Sequence, residues 1–99
     1  MLLLFPVIVY IMYLYLAEFL ATLFFAYVVI ATGNPLAIGA SLALILLLSY
    51  RFEVITVNPA VTITLAAAGK IPPTEIIPLI VVQVLGALVA LEIYKRVNL

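Results

Sequence analysis

Cysteine and histidine are missing from this 99-residue chain, and charge is nearly so: four basic and four acidic side chains cancel to a formal net charge of zero. Each absence removes a class of function. Without Cys or His there is no disulfide, no thiolate nucleophile and no common zinc site. With no basic patch and no block of like charge, nucleic acid is not a partner. The chain also carries no nucleophile–base pair, metal-ligand cluster or phosphate-cradling loop, so neither enzyme chemistry nor a cofactor is expected. Charged residues make up 8% of the chain, against roughly a quarter in soluble domains. So few cannot cover a water-facing surface.

What is present is hydrocarbon, 70% of all residues. That composition specifies an integral membrane protein, and at about 20 residues per span the length allows one domain, 1–99, of a few spans. The opening MLLLFPVIVYIMYLYLAEFL has no Lys or Arg ahead of its apolar run and too long a core for a secretory signal, so it reads as a retained first span. That run reaches from about Leu2 to Thr32, interrupted only by Glu18. It exceeds what one span needs and must tilt or lay its first turns in the interface, with Tyr10, Tyr13 and Tyr15 as aromatic anchors. The first transmembrane helix is expected over about 5–31.

TGNP at 32–35 reads as a tight turn in which Gly33 supplies backbone freedom and Pro35 opens the next helix. The second transmembrane helix is expected over about 36–50, with Gly39 and Ala43 as a small-residue pair for close helix approach. Arg51 and Glu53 end it. Then VITVNPAVTITLAAAG places a polar Asn and a Pro among apolar residues. Asn58 is a good N-cap, Pro59 suits the first helical position, and Gly69 is a stop. The intervening helix, about 59–68, rises only about 15 Å, half a hydrocarbon core. It is expected to be a re-entrant half-helix, reached through non-helical backbone that a membrane tolerates only inside protein or beside water. Asn58 is then either a buried cap or a donor facing water. Lys70 and the prolines of GKIPPTEIIP return the chain to the surface, and a third transmembrane helix is expected over about 76–94. Gln83 there is an interhelical hydrogen-bonding residue, Gly86 and Ala90 a second small pair, and Lys95 and Arg96 interfacial cations. Glu18 is an ionisable residue inside a span, for which Arg51 is one candidate partner. The fold class is all-α integral membrane, with three transmembrane helices plus one re-entrant half-helix.

Four stretches in register resemble one half, the first repeat, of an aquaporin of the major intrinsic protein family: AEFLAT at 17–22, LAIG at 36–39, NPAVT at 58–62 and QVLGALVA at 83–90. The resemblance implies a half-aquaporin fold and passive permeation of water or small neutral solutes. It makes Asn58, with Pro59 and Ala60 holding its loop, the donor at the membrane midplane. The carbonyls of Ile55, Thr56 and Val57 become an acceptor ladder, Glu18 the acceptor for buried loop amides, and Ile38 the second-helix filter residue.

Departures from the family pattern are also visible. Arg51, Val54, Ile55 and Thr56 stand where the family usually has a Gly-rich, His-containing lead, and Val61 follows the box rather than a filter Arg. The family's halves are inverted repeats. The chain is therefore expected to find its complement in itself, as an inverted homodimer or higher oligomer, or in another half-channel. Arg51 and Lys70 on one side balance Lys95 and Arg96 on the other, as a dual-topology chain requires. The other function class is a non-conducting structural or accessory protein that retains the fold, for example in an organelle or viral membrane. The partners expected in either case are the lipid bilayer and, for a channel, water or small neutral solutes.

Overall fold

The computed structural model describes residues 2–50 and 55–97; Arg51, Glu53 and Val54, singled out above, lie outside them. The described residues form helices and no strand: α1 (Leu4–Thr32), α2 (Pro35–Ser49), α3 (Pro59–Ala67), a 3₁₀ turn (Pro73–Glu75) and α4 (Ile76–Val97). α1, and the Pro73–Val97 stretch that contains α4, are each long and apolar enough to cross a membrane. At 1.5 Å per residue α1 rises about 43 Å and α2 about 22 Å, against a hydrocarbon core of about 30 Å. α1 accounts for most of the 49 Å long dimension of the molecule.

Local chemistry sets the breaks. α1 stops at Gly33, whose φ of 55° lets its N–H return to the Val29 carbonyl at 3.1 Å. A side chain at that φ is disfavoured, which is why glycine serves as the stop. One residue on, the Asn34 side-chain oxygen accepts from the N–H of Leu36 and of Ala37, and Pro35 fills the first helical position where no N–H is needed. α3 begins in the same way at Asn58–Pro59 and ends in a Schellman motif. Gly69 at φ 77° donates to Ala66, and Lys70 to Leu65. Pro72 and Pro73 then prevent the helix from resuming.

α1 and α4 pack side by side and parallel. Tyr15 meets Glu75, Glu18 meets Gln83, Gly86 backs onto Phe19 and Leu23, and the rings of Tyr27 and Tyr94 meet edge-on at 6.4 Å. Gly86 makes this seam possible. A Cβ there would lie 2.6 Å from the Phe19 carbonyl oxygen, so only glycine permits this approach. Gly39 is different. The small pair Gly39/Ala43 is exposed, and a Cβ at Gly39 would meet nothing within 4 Å, so Gly39 packs against no described neighbour outside its own helix. The same spacing has two outcomes because only Gly86 faces a neighbouring helix.

Candidate functional site

Between α1, α3 and α4 lies a buried polar cluster that an apolar chain must satisfy internally. Glu18, on α1, is 1% exposed. Its Oε1 accepts from the N–H of Val57, from the N–H and hydroxyl of Thr56 at 3.2 and 3.1 Å, and from the Gln83 amide at 3.1 Å. Gln83 Nε2 also lies 2.7 Å from the Thr56 hydroxyl and 2.9 Å from that of Thr62. Thr62 is fully buried and donates to the Asn58 carbonyl, so the cluster reaches into the first turn of α3. In a low-dielectric interior a carboxylate this deep is tolerable only when donors surround it.

Those donors come from an unusual backbone. Val57 has φ 46°, the left-handed region that β-branched residues avoid. The cost of such a conformation is about 1–3 kcal/mol, and here it turns two successive N–H groups, of Thr56 and Val57, onto one carboxylate. Burial opposes the strain. The side chains of Ile55 and Val57 pack with Ile45 of α2 and, at its edge, Ala17, Ala21, Phe25 and Leu42. Ile55, one of the residues that depart from the family's Gly-rich lead, thus joins Val57 in the core that holds the bend.

With its N–H groups turned inward, the segment leaves other groups over. The carbonyls of Ile55, Thr56 and Val57 accept from no donor among the described residues. Asn58 is exposed; its Oδ1 accepts from Ala60 N–H at 2.8 Å, which fixes the amide and leaves Nδ2 without a partner among the described residues. Pro59 and Ala60 are exposed beside it. Ile38 stands half-buried on the first turn of α2, apart from this cluster.

Sequence reasoning overlooked Thr62 and Tyr15. A hydroxyl four residues after the capping Asn was the available signal for Thr62, since such residues back-bond to the preceding turn. Nothing local signals that the Tyr15 hydroxyl, read above as an interface anchor, donates to the Glu75 carboxylate.

Comparison with known proteins decides the family. Aquaporin Z of Rhodopseudomonas palustris is 38% identical over 91 residues, covering 77% of this chain and 38% of that protein. Aquaporin Z of Bradyrhizobium diazoefficiens is 40% identical over 75 residues, 66% of this chain and 31% of that protein. The chain is aquaporin-like and corresponds to one half of a major intrinsic protein. A third relative, glycerol uptake facilitator protein-like 6 of Lactiplantibacillus plantarum, is 40% identical over 85 residues, 77% of this chain and 39% of that protein. The chain therefore spans less than two fifths of the length of these aquaporin-like relatives. No family model and no solved structure matches. Kinship with the major intrinsic proteins and the apolar helices make this an integral membrane protein.

Proposed function

We propose that the chain is a half-unit of a channel for passive permeation of water or small neutral solutes, with Asn58 as the hydrogen-bond donor at the middle of the pore. The observation that carries this reading is the division of polar groups around residues 55–58. Glu18 takes the N–H groups of Thr56 and Val57, while the three carbonyls and the Asn58 Nδ2 have no partner among the described residues. A file of water needs just such a donor flanked by acceptors.

Depth supports a re-entrant α3. Along α4, Gln83 stands eight residues beyond Glu75, about 12 Å into the layer, and α3 with nine residues rises about 14 Å. A helix of that length, started beside Gln83, regains the level of Glu75 at Lys70. Its N-terminus then lies near the midplane, where its positive dipole end disfavours cations. The complement we infer is a second copy in the opposite orientation, which brings two Asn58 side chains together. Lacking the filter Arg, this pore selects weakly among small neutral solutes.

Two measurements test the reading. Purified protein in liposomes is expected to accelerate osmotic shrinkage above the lipid baseline. In native membranes, Asn98→Cys is expected to label from both faces with an impermeant thiol reagent, as mixed orientation requires. Shrinkage at the lipid baseline would leave the non-conducting structural role in its place. Labelling from one face alone would exclude the inverted homodimer and point to a different half-unit.

A further inference from the structure

A cavity that Asn58 does not line borders Glu18 and, at Ile55, the segment leading to Asn58. It measures about 170 Å³ and lies between α1 and the start of α4, lined among others by Ile11, Tyr15, Glu18, Ile71, Glu75 and Leu79. Ile11, Tyr15 and Glu18 follow one face of α1 at helical spacing, and exposure falls from Ile11 through Tyr15 to Glu18. The chamber therefore runs inward over about 10 Å, seven residues of helix rise. At its inner end stands the Glu18 carboxylate; between that end and Ile11, Tyr15 donates to Glu75 and joins α1 to the segment that follows α3.

The two oxygens of Glu18 are not equally served. Oε1 receives the donors described above. Among the described residues Oε2 receives only the Thr56 N–H, which it shares with Oε1 at 3.2 Å to each. Among the described residues most of the acceptor capacity of this buried oxygen is unmet, which is costly, and the neighbouring chamber, mostly apolar but with Tyr15 and Glu75 in its lining, is where a donor can come from. The volume exceeds the 10–15 Å³ or so that one water requires by the same measure, and Tyr15, Glu18 and Glu75 supply polar partners.

We propose that this chamber is a water site, separate from Asn58, that hydrates the Oε2 edge of Glu18 from the membrane face bearing residues 71–75, with the Tyr15–Glu75 hydrogen bond as its closure. The proposal does not rest on conduction; it holds for a channel and for a structural protein alike.

The absence of native cysteine makes the test direct. Single variants Leu79→Cys within the chamber, Ile11→Cys at its outer end and Leu16→Cys on the exposed face of α1 at the same depth are treated in native membranes with a small charged methanethiosulfonate. The thiolate, which forms only where water reaches, attacks that reagent's sulfenyl sulfur, forming a mixed disulfide and releasing methanesulfinate. Ile11→Cys and Leu79→Cys are expected to react, the former faster, while Leu16→Cys against lipid stays inert. Adding Tyr15→Phe is expected to speed Leu79→Cys about tenfold, the ratio for loss of one hydrogen bond to a charged partner. Inert Leu79→Cys in protein that elutes and melts like the parent would overturn the water site and indicate an acyl chain or a closed gap. Reaction at Leu16→Cys as fast as at Leu79→Cys would also overturn it. An unchanged rate with Tyr15→Phe would remove the closure.

Discussion

Asn-Pro occurs twice in this chain, at 34–35 and at 58–59, and both copies start a helix by the same chemistry. In each the Asn side-chain oxygen caps the first N–H groups, and Pro occupies the position that needs no donor. Their surroundings differ. Asn34 follows directly on Gly33 at the end of α1, in an exposed turn whose Gly33 and Asn34 N–H groups and Asn34 Oδ1 find their partners within a few residues. Asn58 follows three buried residues, of which Thr56 and Val57 direct their N–H groups to a carboxylate 38 and 39 positions away. A two-residue motif thus specifies a helix start and nothing more. The function we propose for the second copy comes from what lies upstream of it: Glu18, the bend at Val57, and carbonyls without donors among the described residues.

The strongest way to break this contrast is Glu18→Leu. It strands the N–H groups of Thr56 and Val57 and the Gln83 amide in apolar surroundings, so a loss of several kcal/mol is expected, at about 1–3 kcal/mol for each buried donor left unpaired. Denaturation in detergent measures it. Protease sensitivity should rise around 55–60 and not around 32–36, because the first Asn-Pro step owes nothing to Glu18.

A smaller effect separates the two small-residue pairs. Gly86→Ala forces a methyl onto the Phe19 carbonyl and is expected to cost about 1–3 kcal/mol. Gly39→Ala meets no atom in this chain and should leave the monomer's melting unchanged or raise it by up to about 1 kcal/mol through helix propensity. If Gly39→Ala instead weakens self-association, measured by crosslinking in membranes, the exposed pair packs between copies.

Loss of either cap is expected to cost about 1 kcal/mol, so Asn34→Ala and Asn58→Ala should lower thermal stability alike. The exposed Lys95–Glu92 pair marks the bottom of the scale. At 3.7 Å and with both side chains 59% exposed, its removal by Lys95→Ala should move stability by no more than about 0.5 kcal/mol.

How much of this was legible beforehand follows from range. The turn at 32–35, the Asn58 cap and the Gly69 stop are written in bonds spanning six residues or fewer, and residue types announce them. The apolar runs gave membrane helices from composition alone. Attention to Glu18 as an acceptor for loop amides came from the family resemblance; its spacing offers no such hint. What stayed hidden depends on contacts between distant residues. Tyr15 and Glu75 are 60 positions apart, and Thr62 completes its cluster only when α3 lies against α4. Gly39 and Gly86 read alike until helix packing tells them apart. The left-handed Val57 ran against propensity, because a local cost is met by tertiary burial and by two hydrogen bonds.

The measurement that bears most directly on Asn58 as the pore donor compares the two caps in liposomes of equal protein content. Osmotic water permeability is recorded by stopped-flow light scattering for the parent chain, Asn34→Ala and Asn58→Ala, with thermal stability measured on the same samples. The expected result is matched stability in the two variants, parental permeability for Asn34→Ala, and permeability near the protein-free baseline for Asn58→Ala. Equal permeability in both variants, at whatever level, would contradict the assignment and reduce Asn58 to a second helix cap.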